Sequence, residues 1–538
     1  MPRTDLALAL LLAGVTALSR LPFRAHLLPS WDAVQFALAL HEYDIVKHQP
    51  HPPGYILYVA LARLIEGVTG DAVEALTWLA LGASAVAVFV LYRLAWTLYG
   101  RATALVAGVG LAASPLFWYY GVVGLSYATE AALATVVAAL IWSMRSGQRR
   151  FVVWSALALG LAGGVRQSVF VLLLPLWLVT AWLGLRRWRP VVDGLAVLGL
   201  VTAAWFVPMV WLTGGFARYL GTALELFDST VRPTTILGAP GAWRVNAIGL
   251  AEALVLGVGV LLPVLVGILA RRVSRPSRWD GRTWFLAAWI LPPLSVYLLV
   301  HFGQPGYLLT ILPALYILLA CGLVEVAGRA RAPVRRWGAV GAGAAVVLVH
   351  GAFFTSAGPV DVPGLLAADP AAQGWAPALR ARYRFRLWPY TARGLWEQEG
   401  VIRAYIAGVR REFDPSQTVL VTELGNPRSY PWFRHVNYYL PEFPVLHLRL
   451  GGFSRGYLSS QHDGSLAGLG GAEIFLPAST RRLVWVVDYW NPTVPRPPGL
   501  RERPLSYGRW LYVLDVDRRL VEHGGYRLTL LTAVARLR

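Results

Sequence analysis

The chain has 538 residues, of which 56% are hydrophobic and only 14% charged, and its mean hydropathy is +0.51. That is too apolar for a soluble chain of this length and places it in a bilayer. The formal charge of +20 does not indicate nucleic acid, because the basic residues sit in short clusters between apolar runs, as the positive-inside rule produces.

In chain order, membrane spans of about 20 apolar residues are predicted near 5–23, 75–97, 102–119, 126–144, 151–165, 167–185, 190–213, 246–270, 283–301, 305–327 and 337–356. Arg3 and the apolar stretch after it resemble a signal peptide, but no convincing cleavage site follows, so this reads as an uncleaved first span. The run 151–185 is split at Gly163-Gly164-Val165-Arg166-Gln167, since an arginine at mid-membrane costs about 2.5–3.5 kcal/mol. With the N-terminus inside, Arg101, the Arg145–Arg150 cluster, Arg186 to Arg189, the 271–282 segment and Arg329 to Arg336 all fall in cytoplasmic loops. This alternation requires that 54–69, which carries Arg63 and Glu66, be an interfacial or re-entrant helix. Cys321 is the only cysteine, so no intramolecular disulfide is possible; in an apolar run it reads as a buried, inert thiol. Glu252 and Glu325, in or near spans, are expected to point into the bundle.

After Phe354 the composition shifts to Pro, Gly and charged residues, which marks a second domain. The fold class expected is a polytopic α-helical membrane protein with about eleven spans and interfacial helices in the first outer loop. Its domains are 1–356 in the membrane and 357–538 as an extracytoplasmic α/β or α+β domain. In the latter, 418–423, 482–488 and 510–516 have the residue types of strands, and 395–410 reads as an amphipathic helix. The arginines Arg380, Arg382, Arg384 and Arg386 do not oppose this orientation, because long domains translocate largely regardless of charge. Glu423 to Pro427, and Trp432 to Tyr439 with His435, resemble a polar surface at a strand's end, either a ligand site or a packing loop.

The first outer loop concentrates the chemistry. It reads Pro29-Ser30-Trp31-Asp32-Ala33-Val34-Gln35-Phe36 and then Lys47-His48-Gln49-Pro50-His51-Pro52-Pro53-Gly54-Tyr55-Ile56-Leu57-Tyr58. Asp32 suits a general base; it equally suits the N-cap of a helix starting at Ala33. Glu130, at the outer start of the fourth span, is either functional or simply favoured there by the helix dipole. Arg166 offers a planar donor fork for phosphate, or else pairs with headgroups or a buried carboxylate. Lys47, His48, His51 and His301 fall on the same side. No zinc site is expected at His48 and His51, because Pro50 and Pro52 forbid the helix that would bring them together; a divalent metal elsewhere stays open, though no residue pattern indicates one. Tyr307, Trp118, Tyr119 and Tyr120 either stack on sugar or form an interfacial aromatic belt.

This loop resembles the GT-C glycosyltransferases, most closely the branch related to transmembrane protein O-mannosyltransferases, in which an acid is followed by a His-Pro-Pro-Gly-Tyr-Pro-Leu-Tyr motif. Here Ile56 replaces the motif's proline, and Gln35 stands where that branch usually has a glutamate. The likeness covers roughly residues 5–175, joined by His301-Phe302-Gly303-Gln304-Pro305-Gly306-Tyr307-Leu308-Leu309. The resemblance implies an enzyme that uses a polyprenyl-phosphate sugar donor and inverts the anomeric centre; the expected location is a bacterial plasma membrane. It implies Asp32 as base on a lipid, glycan or protein acceptor, with Glu130 assisting. Arg166, Lys47, His51 and His301 are then candidates for the donor phosphate, and His48, Gln167, Gln304 and Tyr307 for substrate contact, with no cofactor indicated. The competing expectation is a transporter or flippase with a sensing ectodomain; against it, no internal repeat is visible.

Overall fold

The computed structural model describes residues 1–185, 188–239, 241–328, 339–357, 361–362, 385–426, 428–450, 473–516 and 520–530. Arg186, Arg187, Arg329, Arg331, Arg335, Arg336, Arg380, Arg382, Arg384 and Pro427, all used above, lie outside the described residues. The chain divides into two compact units. The first comprises Met1–His26, Pro53–Ala217 and Thr230–Leu395; the second comprises Leu27–Pro52, Arg218–Ser229 and Trp396–Arg538.

The first unit is helical. Among the described residues six helices are long and apolar enough to cross a membrane, namely Arg3–Phe23, Ala72–Tyr99, Tyr127–Ser146, Trp188–Leu212, Ala242–Val273 and Gly281–Leu299. Arg101–Ala113, Gln167–Trp182, Leu312–Ala327 and Gly341–Ser356 are shorter apolar helices. Local chemistry sets their ends: the Asp71 carboxylate accepts from the Glu74 amide at 2.8 Å, satisfying a donor that the first turn leaves orphaned. Gly100, at φ 86°, stops the same helix in a backbone region where a Cβ is disfavoured. The sequence break at Gly163-Gly164 is a true helix end, with Val165 the last residue of Arg149–Val165 and Arg166 extended at φ −154° and ψ 111°. A Cβ on Gly164 would stand 2.5 Å from Leu57 and 2.9 Å from Trp205. Only glycine therefore lets this end close on helix Ile56–Thr69, which follows the His-Pro-Pro-Gly-Tyr turn.

The second unit is a mixed α/β structure. A five-stranded sheet contains β1 (Thr418–Leu424), β2 (Val445–Arg449), β4 (Arg482–Val486), β5 (Arg501–Leu505) and β6 (Arg509–Asp515), ordered β2-β1-β4-β6-β5. β1 is parallel to β2 and β4, while β6 is antiparallel to β4 and β5. A smaller sheet holds β3 (Glu473–Leu476), β8 (Tyr526–Leu530) and β7 (Leu520–His523), in that order. The period-two alternation of strands divides the core. Val419, Val421, Leu446 and Trp485 face Ile474, Leu476, Val521 and Leu528 of the small sheet. Leu420, Val484 and Val513 face Val401, Tyr405 and Val409 of helix Ala392–Glu412 and Phe433 and Val436 of helix Phe433–Tyr439.

Three expectations change here. Trp432–Tyr439 is not a polar strand end but largely a helix whose Phe433, Arg434, His435 and Val436 are buried. Glu325 does not point into the bundle; it is exposed near a helix end and pairs with Arg272 at 3.0 Å. Tyr119 and Tyr120 are buried rather than ringing the surface, and Trp118 stacks on Phe354 with centroids 4.8 Å apart. Cys321 is buried.

Candidate active site

In the second unit, helix Trp31–His41 carries Asp32. Its N-cap is Ser30, whose hydroxyl accepts from the Ala33 amide at 3.3 Å, so capping does not fall to Asp32. This leaves the Asp32 carboxylate in the first turn, where the helix dipole favours a negative charge, with about a quarter of its side chain exposed. His51 places Nδ1 at 3.9 Å from Asp32 Oδ1 and 2.9 Å from the Gln35 Oε1 atom. Its ring packs near Phe36, with centroids 5.8 Å apart.

The loop that delivers His51 is built on Asp44, whose carboxylate accepts from the Val46 and Lys47 amides and whose backbone pairs with Gln49. Lys47 Nζ pairs with Glu42 at 2.7 Å. Arg434 donates to the Lys47 carbonyl. His48 is buried, and desolvation, with the charges of His51 and Arg434 adding, pushes its imidazole down to about 3. Leu27 and Leu28 complete the anchorage: their amides donate to Glu399 at 3.1 Å and Tyr439 at 2.8 Å, and His435 Nε2 donates to the Leu28 carbonyl at 2.9 Å. The acid-bearing loop is thus an integral part of this unit.

In the first unit, Glu130 and Arg166 form a buried ion pair, Nε to Oε2 at 2.8 Å. Arg166 also donates to Ser126 at 2.8 Å and Ser168 at 3.2 Å. Ser168 and Thr310 donate to Glu130, and Tyr297 donates to Thr310 at 2.9 Å. Around the guanidinium stand three tyrosine rings, Tyr127 at 4.3 Å, Tyr307 at 5.2 Å and Tyr55 at 5.7 Å from the central carbon, within cation–π range. Arg166 Nη2 makes no hydrogen bond among the described residues. Gln167 donates to the Pro53 carbonyl at 3.1 Å, tying the start of its helix to the Pro-Pro-Gly turn. His301 Nδ1 lies 2.7 Å from the Thr234 hydroxyl, and its ring lies 5.8 Å from that of Tyr307. Gln304 precedes the tight turn Pro305–Thr310.

Of the residues singled out from sequence, Asp32, Lys47, His48 and His51 therefore belong to the second unit, and Glu130, Arg166, Gln167, His301, Gln304 and Tyr307 to the first. Sequence reasoning missed Gln35 as the partner of His51, and Ser126, Ser168, Thr310, Tyr55 and Tyr127 around the ion pair. Tyr55 had a signal, since it closes the His-Pro-Pro-Gly-Tyr motif. Glu423 is not a surface acid: it is sealed in a buried pair with His523 at 2.7 Å and accepts from Asn426 at 3.0 Å. Among the described residues no group of three or more His, Cys, Asp or Glu side chains is placed to hold a metal ion.

Residues 32–188 match the family model described as the N-terminal domain of the protein O-mannosyl-transferase TMEM260, a span containing Asp32, His51, Glu130 and Arg166. No curated protein matches the chain. Among solved structures, ArnT from Cupriavidus metallidurans bound to undecaprenyl phosphate has the same fold, with a TM-score of 0.56 at 14% identity over 96% of this chain and 99% of that one. Its apo form gives 0.54 at 15% identity over 95% and 97%. The chain resembles the GT-C membrane glycosyltransferases. The likeness to the O-mannosyltransferase branch lies in the sequence of the first third, and the likeness to ArnT extends along nearly the whole fold.

Proposed function

We propose that the chain is a glycosyltransferase that moves a hexosyl or pentosyl unit from a polyprenyl phosphate to an extracytoplasmic acceptor, with inversion. The observation that carries this reading is the family match over 32–188, because it encloses the acid, the histidine and the ion pair together. In the reaction, Asp32 takes the proton of the acceptor hydroxyl as its oxygen attacks the anomeric carbon. The bond from that carbon to the phosphate oxygen breaks with its electron pair, which leaves the polyprenyl phosphate. A carboxylate within hydrogen-bond reach contributes typically about 10²- to 10⁴-fold to such a step.

Arg166 binds the donor phosphate. Glu130 holds the guanidinium in place through the buried ion pair at Oε2, while Ser168 and Thr310 donate to Oε1. Lys47 and His301 supply further donors to the phosphate, and Gln167, Gln304 and Tyr307 shape the substrate surface, while buried His48 supports the loop behind it. The membrane arrangement that goes with this chemistry has about eleven spans, a cytoplasmic N-terminus and residues 357–538 outside, in a bacterial plasma membrane.

The test is transfer from a polyprenyl-phosphate sugar by the purified full chain in liposomes. Asp32→Asn is expected to lose transfer while eluting and melting like the parent; an active Asp32→Asn chain removes the proposed base. Comparison of lipid-linked sugars and surface glycans in cells with and without the chain names the sugar and the acceptor.

A further inference from the structure

His51 was expected to bind phosphate, yet in the second unit its ring stands beside an amide oxygen and a carboxylate. Nδ1 stands 2.9 Å from Gln35 Oε1 and 3.9 Å from Asp32 Oδ1, and Gln35 is wholly buried. An amide oxygen only accepts, so Nδ1 carries a proton whether the ring is neutral or charged. That N–H is directed at Gln35, with Asp32 as the next acceptor on the same side. The ring has little freedom to leave: the backbone of His51 is flanked by Pro50 and Pro52, which fix φ on either side, and Phe36 packs beside it. Gln35 and Asp32 lie on one short helix, so a single ring touches the helix at two successive functional positions.

We propose that His51 is a positioning residue for the Asp32 carboxylate. Anchored through Nδ1 to Gln35, it fixes the side chain of the base and, in its neutral form, leaves the charge of that base undiminished. Protonation of the ring places a full positive charge beside Asp32 and weakens it as a proton acceptor, so turnover falls as the imidazole titrates. Asp32 of helix Trp31–His41 faces this ring, His48 in its own loop feels its charge, and Arg434 of helix Phe433–Tyr439 acts on His48 in turn. The inference rests on the reading of Asp32 as the base.

The liposome transfer assay separates the two possible roles of His51. His51→Ala is expected to lower kcat about 100-fold, the scale of a misplaced reacting group, with the donor KM unchanged, since a residue that acts only in the transition state moves kcat alone. His51→Asn, whose amide nitrogen falls where Nδ1 was, is expected to recover most of that loss and to move the acid limb of the kcat profile to lower pH. Gln35→Glu, which sets a carboxylate against Nδ1 and favours the charged ring, is expected to move the limb to higher pH. This substitution keeps the test open should His51→Ala fail to fold. A raised donor KM with kcat retained in His51→Ala would make His51 a phosphate ligand and overturn the proposal, as would an unmoved acid limb in both His51→Asn and Gln35→Glu. Asp32→Asn in the same assay tells the two failures apart: an active Asp32→Asn chain defeats the reading of the base, whereas an inactive one beside a fully active His51→Ala chain defeats only the role of His51.

Discussion

Removing the charge of Glu130 tests whether the ion pair is a unit. The pair is 2.8 Å long, with side chains 1% and 8% exposed, so solvent screens it little. Deleting one partner of such a pair costs about 3–5 kcal/mol, because the other charge stays buried without compensation. In Glu130→Gln the guanidinium keeps the faces of Tyr127 and Tyr307 at 4.3 and 5.2 Å and its bonds to Ser126 and Ser168, which sets the loss at the lower end, about 3 kcal/mol. That is roughly a hundredfold in the folding equilibrium. Glu130→Gln combined with Arg166→Met removes both charges and is expected to be no less stable than Glu130→Gln alone. Denaturant unfolding of the full chain in detergent, run as a double-mutant cycle, measures the coupling. If the double variant loses the sum of the two single losses, the charges do not act as a pair, and the account of how Arg166 is held is wrong.

Arg166→Ala is expected to raise the donor KM while changing kcat far less; an unchanged KM would argue against a phosphate role. Gly306→Ala puts a methyl 2.5–2.7 Å from the ring of Tyr127, too close for the ring to stay over Arg166. The expected cost is about 1–3 kcal/mol, read in the same unfolding assay, together with a higher donor KM. His48 stays neutral in the folded chain down to about 3 but takes a proton near 6.5 when unfolded, so the unfolded state binds more protons in that window. Its contribution to stability is complete above pH 6.5 and declines by about 1.4 kcal/mol for each pH unit below it. His48→Asn, which tolerates the φ of 55° at this position, is expected to flatten the fall in unfolding midpoint between pH 6.5 and 4. Some slope remains, because burial also lowers His435 to about 4.

Features encoded locally were legible in the sequence, and features made by packing were not. The strands β1, β4 and β6 could be read because Val419, Leu420 and Val421 alternate between two buried faces, which demands β-branched and aliphatic residues at every position. Helix Phe433–Tyr439 could not: its aromatics suit a strand, and a helix this short is held by the contacts of Phe433 and Val436 with the sheet. Glu325 misled because a hydropathy window does not see that it lies near a helix end beside Arg272. Ser30 and Asp32 are both good caps, and only the register of the helix start, set by packing of Trp31 against the second unit's core, gives the role to Ser30.

Glu130 and Arg166 carry this distinction into function. Each was recognisable as a charge near a membrane surface, and each was read with its own task, assisting the base for Glu130 and binding phosphate for Arg166. Their pairing depends on how two helices pack, and it changes what each can do. The carboxylate faces the guanidinium with one oxygen and accepts from Ser168 and Thr310 with the other, which suits it to holding the cation in place. A guanidinium whose Nε pairs with Glu130 and donates to Ser168, and whose Nη1 donates to Ser126, cannot offer phosphate the full five-donor fork that its residue type suggests. What remains is Nη2 and the second N–H of Nη1, in an ion pair whose net charge is neutral. Such a pair suits a group that must bind a phosphate as the donor and then release it with one more negative charge, since an unpaired buried arginine would hold the product more tightly than the substrate.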